Sequence, residues 1–177
     1  MVIYMKAIET ALSLTQAYKL GIERFEKMLG NEFAKAVEFM NNTSTHIIVC
    51  GMGKSGLVGR KISSTLASTG TPSIFLHPAE AIHGDLGKVQ KKSVVLLISY
   101  SGETGEIIAL IPALKRLDVN IIALTGVKNS TLANKSDIVL DTSVDREACP
   151  LNLAPTTSTM ITMVLGDALA VSLMELK

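Results

Sequence analysis

The chain has 177 residues, a formal net charge of +1 and a hydrophobic fraction of 47%. This length suits one domain with a substantial core, and the nearly neutral charge, spread along the chain, excludes the basic surface of a nucleic-acid-binding protein. No apolar run approaches the ~18 residues of a membrane span, so we expect no membrane partner and instead predict apolar surface buried between subunits of a homo-oligomer.

The two cysteines and the first residues predict where the protein works. Cys50 and Cys149 stand alone, without the spacing of metal ligands. The N-terminal MVIYMKAIE lacks the basic and then apolar layout of a signal peptide. A reducing cytoplasm is the natural location for such a chain.

Helical spacing of apolar residues predicts a helical lead-in over 1–44, with one helix from about Met5 to Leu29 and a second at EFAKAVEFM. After it, five short apolar runs alternate with helical stretches, and the last stretch is TSTMITMVLGDALAVSLMEL. The runs are HIIVC, SIFL, VVLLIS, NIIALT and DIVLD. This alternation predicts a single α/β domain over 1–177, a three-layer α-β-α sandwich with a five-stranded parallel sheet, as in flavodoxin-like folds.

The segment after the first run, GMGKSG (51–56), overlaps three phosphate-binding motifs. A Walker A loop needs its first glycine where Ile48 stands, so that motif is excluded. Gly51, Gly53 and Gly56 match the G-x-G-x-x-G fingerprint of dinucleotide sites, but the second run ends at His77 instead of the required carboxylate. NAD binding therefore stays only as an alternative to a sugar-phosphate site.

The segment after the third run, SYSGETGE (99–106), predicts a phosphate site built without a cation. Ser99, Ser101 and Thr104 offer hydroxyl groups, and Gly102 leaves the backbone accessible. A helix that begins near Thr104 also directs its first N–H groups toward this loop. Serine and threonine are common helix caps as well, so simple capping is the structural alternative.

These two segments, with HPAEAIHGDLG between them and REACPLNLAPTTST after the last run, resemble the sugar isomerase (SIS) domain family. Within that family they are most similar to the D-arabinose 5-phosphate isomerases. The resemblance extends from about Ile47 to the C-terminus and implies the SIS fold. It also implies an aldose-ketose isomerase that interconverts D-arabinose 5-phosphate and D-ribulose 5-phosphate through an enediolate, as a source of precursor for Kdo and lipopolysaccharide.

Such an isomerase needs a carboxylate base, a cation or donor for the developing oxyanion and a phosphate anchor, but neither a redox cofactor nor a metal. Residue chemistry and the resemblance together predict four catalytic residues: Lys54, His83, Glu106 and Glu147. The predicted substrate-binding and phosphate-binding residues are Gly53, Ser55, Ser99, Ser101, Gly102, Thr104, Ser158 and Thr159. For each, the structural alternative is a helix cap, a helix-dipole charge or a solvated loop residue.

Two departures from similar isomerases bear on function. Those proteins usually continue into a pair of CBS domains after a segment with a functional histidine, and the sequence up to Lys177 has neither, as in an isolated domain or a short form. Tyr100 stands where similar proteins more often have a smaller or different residue.

Two alternative functions stay open: an isomerase of another ketose phosphate such as 3-hexulose 6-phosphate, and a sugar-phosphate sensor without turnover. The SIS family usually places its sites where subunits meet, which predicts a dimer or a tetramer.

Overall fold

The computed structural model describes residues 2–177, and the helices and strands follow the predicted order. The lead-in consists of α1 (Val2–Met28) and α2 (Asn31–Asn41). The strands are β1 (Ile47–Gly51), β2 (Ser73–Leu76), β3 (Val94–Ile98), β4 (Asn120–Thr125) and β5 (Ile138–Asp141). The other α-helices are α3 (Gly53–Ser68), α4 (Pro78–Ile82), α5 (Gly105–Arg116), α6 (Thr131–Lys135) and α7 (Thr157–Glu175). A short 3₁₀ helix, Asp85–Lys88, lies between α4 and β3.

The five strands form one parallel sheet in the order β2-β1-β3-β4-β5, which confirms the predicted architecture. β1 and β3 are buried along their whole length, as expected for strands that read as continuous apolar runs. Alternate side chains point to opposite faces. Val49 and Leu96 enter a core covered by α2, α3 and α7, whereas Ile48 and Leu97 enter a second core covered by α4, α5 and α6.

The start of α3 differs from the prediction. The apolar pattern of LVGRKISSTLAST predicts that this helix starts near Leu57, but the helix begins at Gly53. Gly53 adopts a φ of +55°, a conformation open to glycine at little cost, and this lets the helix start two residues after the strand. GMGKSG is therefore the end of a strand followed by the first turn of a helix.

Gly56 explains why this connection is so short. A Cβ at Gly56 would lie 2.6 Å from the carbonyl oxygen of Gly51, closer than a side chain can approach. The first turn of α3 thus packs directly on the end of β1, as the third glycine of a phosphate-binding turn allows. Lys54 and Ser55 are carried in this turn, at the carboxyl edge of the sheet.

The last helix, α7, is long and apolar enough to cross a membrane by length and composition alone, but half of its most apolar segment is buried within the chain. Its glycine, Gly166, lies against Ile62 of α3 so closely that an added Cβ would meet that side chain at 2.3 Å. This is the packing of a core helix. Val171 and Met174 remain exposed on its outer face.

Candidate active site

A cleft of about 500 Å³ opens at the carboxyl ends of β1, β3 and β5. β1 and β3 are neighbours, and the helices that follow them, α3 and α5, lie on opposite faces of the sheet. Ligands bind at such switch points in open α/β sheets, and the volume is in the range of small-molecule sites. Five of the predicted site residues line this cleft: Lys54, Ser55, Glu147, Ser158 and Thr159.

Lys54 lies in the first turn of α3 and is exposed. It forms no salt bridge with any residue of the described chain. A lysine at the positive end of a helix dipole is unfavourable by itself. An anionic ligand bound at the same helix end would offset that repulsion and pair with the ammonium group.

Glu147 lies in the loop between β5 and α7 and caps the N-terminus of α7, although it stands nine residues before Thr156 in the sequence. Its Oε2 accepts hydrogen bonds from the N–H of Thr156 at 2.8 Å, from the Thr156 hydroxyl at 3.1 Å and from the N–H of Ser158 at 3.2 Å. Its Oε1 accepts a hydrogen bond from the hydroxyl of Ser158. The carboxylate is thereby held in one orientation at the wall of the cleft, beside a helix N-terminus that favours its negative charge.

These hydrogen bonds also determine the charge of Glu147. Partial burial by itself raises the pKa of this carboxyl, but the hydrogen bonds from Ser158 and Thr156 outweigh it and hold the pKa below its usual value. Glu147 is therefore ionised at neutral pH, as a group that removes a proton from a substrate must be.

A pH-dependent stability difference follows from this lowered pKa. Glu147→Gln should lower the free energy of unfolding near pH 7 by about 1 kcal/mol, the usual worth of a helix cap. Because the folded-state pKa lies below the unfolded one, this contribution is present above the unfolded pKa and is lost as the pH falls through the folded one. Urea titrations near neutral pH and below about pH 4, the range of carboxyl titration, measure the difference. Glu38→Gln, at an exposed position of α2, serves as the control. An equal difference at both pH values would contradict the assignment.

The predicted phosphate loop, residues 99–104, is shaped by its own hydroxyl groups. The hydroxyls of Ser99 and Thr104 are hydrogen-bonded at 2.7 Å. The N–H of Gly102 donates to the carbonyl oxygen of Ser99 at 3.0 Å and to its hydroxyl at 3.1 Å, and the Ser101 hydroxyl accepts the N–H of Glu103 at 3.2 Å. The loop ends at the start of α5, whose first-turn N–H groups have no partner within the helix.

The N-terminus of α6 holds this loop through hydrogen bonds to Gly102 and Glu103. The carbonyl oxygen of Gly102 accepts the N–H of Leu132 at 3.0 Å, and the carboxylate of Glu103 accepts the N–H of Thr131 at 2.6 Å. Gly102 has a φ of +66°, and an added Cβ would lie 2.0 Å from the Ser130 hydroxyl. Only glycine fits here. Ile98 and Tyr100, on either side of Ser99, line the cleft and so join the loop to it.

The other two predicted catalytic residues lie outside the cleft. His83 is exposed at the end of α4, and Glu106 is half-buried in the first turn of α5. A catalytic role for either residue needs another subunit, or a movement of its own segment, to bring it to the cleft. The catalytic roles of His83 and Glu106 stay predictions.

Over residues 2–177, no three His, Cys, Asp or Glu side chains stand close enough together to hold a metal ion.

Sequence reasoning missed two residues that position the Glu147 loop. Asn152 accepts the N–H of Glu147 through its side-chain oxygen at 2.8 Å and has a φ of +53°, a conformation that asparagine tolerates. Arg24 of α1 binds Asp145 at 2.6 Å and the Ser143 hydroxyl at 2.9 Å. The asparagine in PLNL was the only local signal, because the partners of Arg24 lie far along the sequence.

The chain matches the family model described as SIS domain over residues 40–172. It is 56% identical over 147 residues to arabinose 5-phosphate isomerase KdsD of Pseudomonas aeruginosa, covering 83% of this chain and 45% of that protein. Over 155 residues it is 52% identical to arabinose 5-phosphate isomerase KpsF of Escherichia coli CFT073, with 87% and 47% covered. The chain thus spans about half the length of the curated relatives it matches. A solved Escherichia coli CFT073 protein in complex with arabinose 5-phosphate aligns with a TM-score of 0.89 at 39% identity, covering 97% of this chain and 92% of that one.

Proposed function

The chain belongs to the SIS domain family, and from this we propose that its cleft binds a sugar phosphate and interconverts D-arabinose 5-phosphate and D-ribulose 5-phosphate. The observation that carries the proposal is that Lys54 and the ionised Glu147 line one cleft that adjoins the predicted phosphate loop. The names of the KdsD and KpsF relatives and the arabinose 5-phosphate complex of the solved structure support the choice of substrate.

In the proposed complex, the phosphate lies at residues 99–104 and the N-terminus of α5. The hydroxyls of Ser99, Ser101 and Thr104 and the first N–H groups of α5 supply hydrogen bonds there, and the helix dipole favours the charge. The sugar then extends along the cleft toward Glu147. Lys54, at the first turn of α3, neutralises an oxygen at the reacting end or shares the phosphate.

The proposed reaction moves one proton between neighbouring carbons. After the ring opens, the carboxylate base removes the proton from C2, the C2–H electrons form a C1=C2 double bond, and the carbonyl oxygen on C1 becomes an oxyanion that Lys54 stabilises. Protonation of that oxygen gives the enediol. Loss of the O2 proton and return of a proton to C1 then give the ketose. His83 and Glu106 are proposed for ring opening and for proton transfer to oxygen.

The test is formation of ribulose 5-phosphate from arabinose 5-phosphate by the purified chain, compared with Lys54→Ala and Lys61→Ala variants. Loss of one oxyanion-stabilising group should lower kcat about 10²-fold to 10³-fold. Lys61 is the matched control because it lies on the same helix but pairs with Asp167 outside the cleft. If the parent chain binds the sugar phosphate tightly without turnover, it is a sensor and the isomerase proposal is wrong.

We propose that the chain works as a homo-oligomer. Met5, Ile8 and Leu12 lie at helical spacing on α1 and are 55%, 44% and 62% exposed. Together with Val171 and Met174 on α7 they leave apolar surface of the kind that subunit interfaces bury.

Replacing Ile8 and Leu12 together by glutamate should shift the protein to a smaller species, because two charges would have to be buried at the interface. Light scattering coupled to size exclusion measures the mass of each form. Thr10→Glu, on another side of α1, is the control and should leave the mass unchanged. An unchanged mass in the double variant would exclude this face as the interface.

The wider role is also a proposal. Arabinose 5-phosphate formed by the reverse reaction would supply a precursor for Kdo and lipopolysaccharide, as the resemblance implies. Cys50 and Cys149 are free thiols, which supports a reducing compartment such as the cytoplasm.

A further inference from the structure

Tyr100 is fixed by its backbone to the neighbouring strand. Its carbonyl oxygen accepts the N–H of Gly126 at 2.9 Å and the hydroxyl of Thr125 at 3.1 Å. Both partners lie at the carboxyl end of β4, next to β3 in the sheet. The residue therefore has one position relative to the sheet edge.

Its side chain continues across that edge to the loop that follows β5. The ring covers Gly126 so closely that an added Cβ there would lie 2.5 Å from it. Beyond Gly126, the Tyr100 hydroxyl accepts the N–H of Val144 at 3.3 Å. Val144 stands three residues before Glu147, so the hydroxyl holds the loop that carries the carboxylate.

Tyr100 thus touches both halves of the candidate site. Ser99 and Ser101, its neighbours in the chain, belong to the predicted phosphate loop. Tyr100 lines the cleft together with Lys54 and Glu147, and the residue is 37% exposed. A bulky aromatic side chain here connects the place where the phosphate is proposed to bind with the place where the proton is removed.

We propose that Tyr100 is a positioning residue that sets the separation of the phosphate loop from the Glu147 loop, and thereby the carbon-chain length of the sugar phosphate that reacts. This rests on the proposed isomerase function. A substrate anchored by its phosphate reacts only if its C1 and C2 lie beside the base, and a small misplacement at the reacting carbons is costly. The hydroxyl fixes the loop, and the ring limits the room for a longer chain.

Two variants separate the contributions of the hydroxyl and the ring. Tyr100→Phe keeps the ring and removes the bond to Val144, so kcat for arabinose 5-phosphate should fall severalfold while KM changes little. Tyr100→Ala removes the ring that limits the room in the cleft. The ratio of kcat/KM for D-mannose 6-phosphate, one CHOH unit longer with the same arrangement at C2, to that for arabinose 5-phosphate should then rise at least about tenfold, the lower end of the effect of one extra carbon in a pocket.

Calorimetric binding of both sugar phosphates to the parent chain and to each variant completes the test. If no form shows turnover, the proposed function fails, but a rise in the relative affinity for the longer sugar in Tyr100→Ala still supports the length limit. If Tyr100→Ala lowers the thermal midpoint but changes neither the ratio of kcat/KM nor the ratio of affinities for the two sugar phosphates, Tyr100 has a merely structural role and the proposal is overturned. Tyr100→Phe keeps the ring packed on Gly126, so this variant tests the hydroxyl alone. Unchanged kcat in it would exclude the positioning role.

Discussion

Glu147→Gln is expected to lower kcat for arabinose 5-phosphate by about 10²-fold to 10⁴-fold, the range for loss of a general base. The glutamine side chain is an uncharged amide whose single oxygen can still accept from Thr156 and from the Ser158 N–H. Its NH2 group can neither accept from the Ser158 hydroxyl nor take a proton from C2. Binding of the sugar phosphate should therefore persist. Kinetics of ribulose 5-phosphate formation, with calorimetry for the Kd, separate the two effects.

The same carboxylate caps α7, so the loss of activity needs a structural control. Thr156→Ala removes a hydroxyl that donates to Glu147 at 3.1 Å and leaves the carboxylate in place. Thr156 does not line the cleft. We expect this variant to lose stability but to keep most of its kcat. Equal losses of kcat in both variants would show that Glu147 acts through the helix cap and not as the base.

Gly102→Ala is expected to weaken binding of sugar phosphate and inorganic phosphate at least about tenfold, the scale for loss of one or two charge-assisted hydrogen bonds. A side chain at a φ of +66° is strained, and its Cβ would meet the Ser130 hydroxyl at 2.0 Å. Relief of that contact must move the loop away from α6 or break its hydrogen bonds. Isothermal titration with both ligands measures the affinity.

Gly30→Ala is the matched control for this substitution. Gly30 has extended backbone with a φ of −168°, and a Cβ there meets nothing within 4 Å. The variant should bind phosphate as the parent does. If Gly102→Ala also kept the parent affinity while remaining folded, residues 99–104 would not be the phosphate site.

The architecture was predictable because the strands have one dominant signal. β1 and β3 are buried on both faces and read as short runs of apolar residues, and all five predicted runs are strands in the structure. The error at the start of α3 has a physical cause. Gly53 and Gly56 look like loop residues in sequence, yet both lie in the first turn of the helix. Gly53 supplies its φ of +55°, and Gly56 allows the close contact with the end of β1.

The candidate site was only partly predictable. Lys54 and Glu147 do share a cleft, because the ends of parallel strands meet at one edge of the sheet. The cap that Glu147 forms could not be foreseen, since its donors lie nine and eleven residues later and depend on the shape of the loop. The hydrogen bond from the N–H of Val144 to the Tyr100 hydroxyl could not be predicted for the same reason, since the two residues are 44 positions apart.

Incubation of the purified chain with D-arabinose 5-phosphate in D₂O, followed by NMR, tests the central claim most directly. Proton transfer through an enediol predicts D-ribulose 5-phosphate that carries deuterium at C1, because a carboxylate base exchanges its proton with the solvent. Arabinose 5-phosphate that is recovered unchanged, although calorimetry shows it bound, would contradict the proposed isomerase.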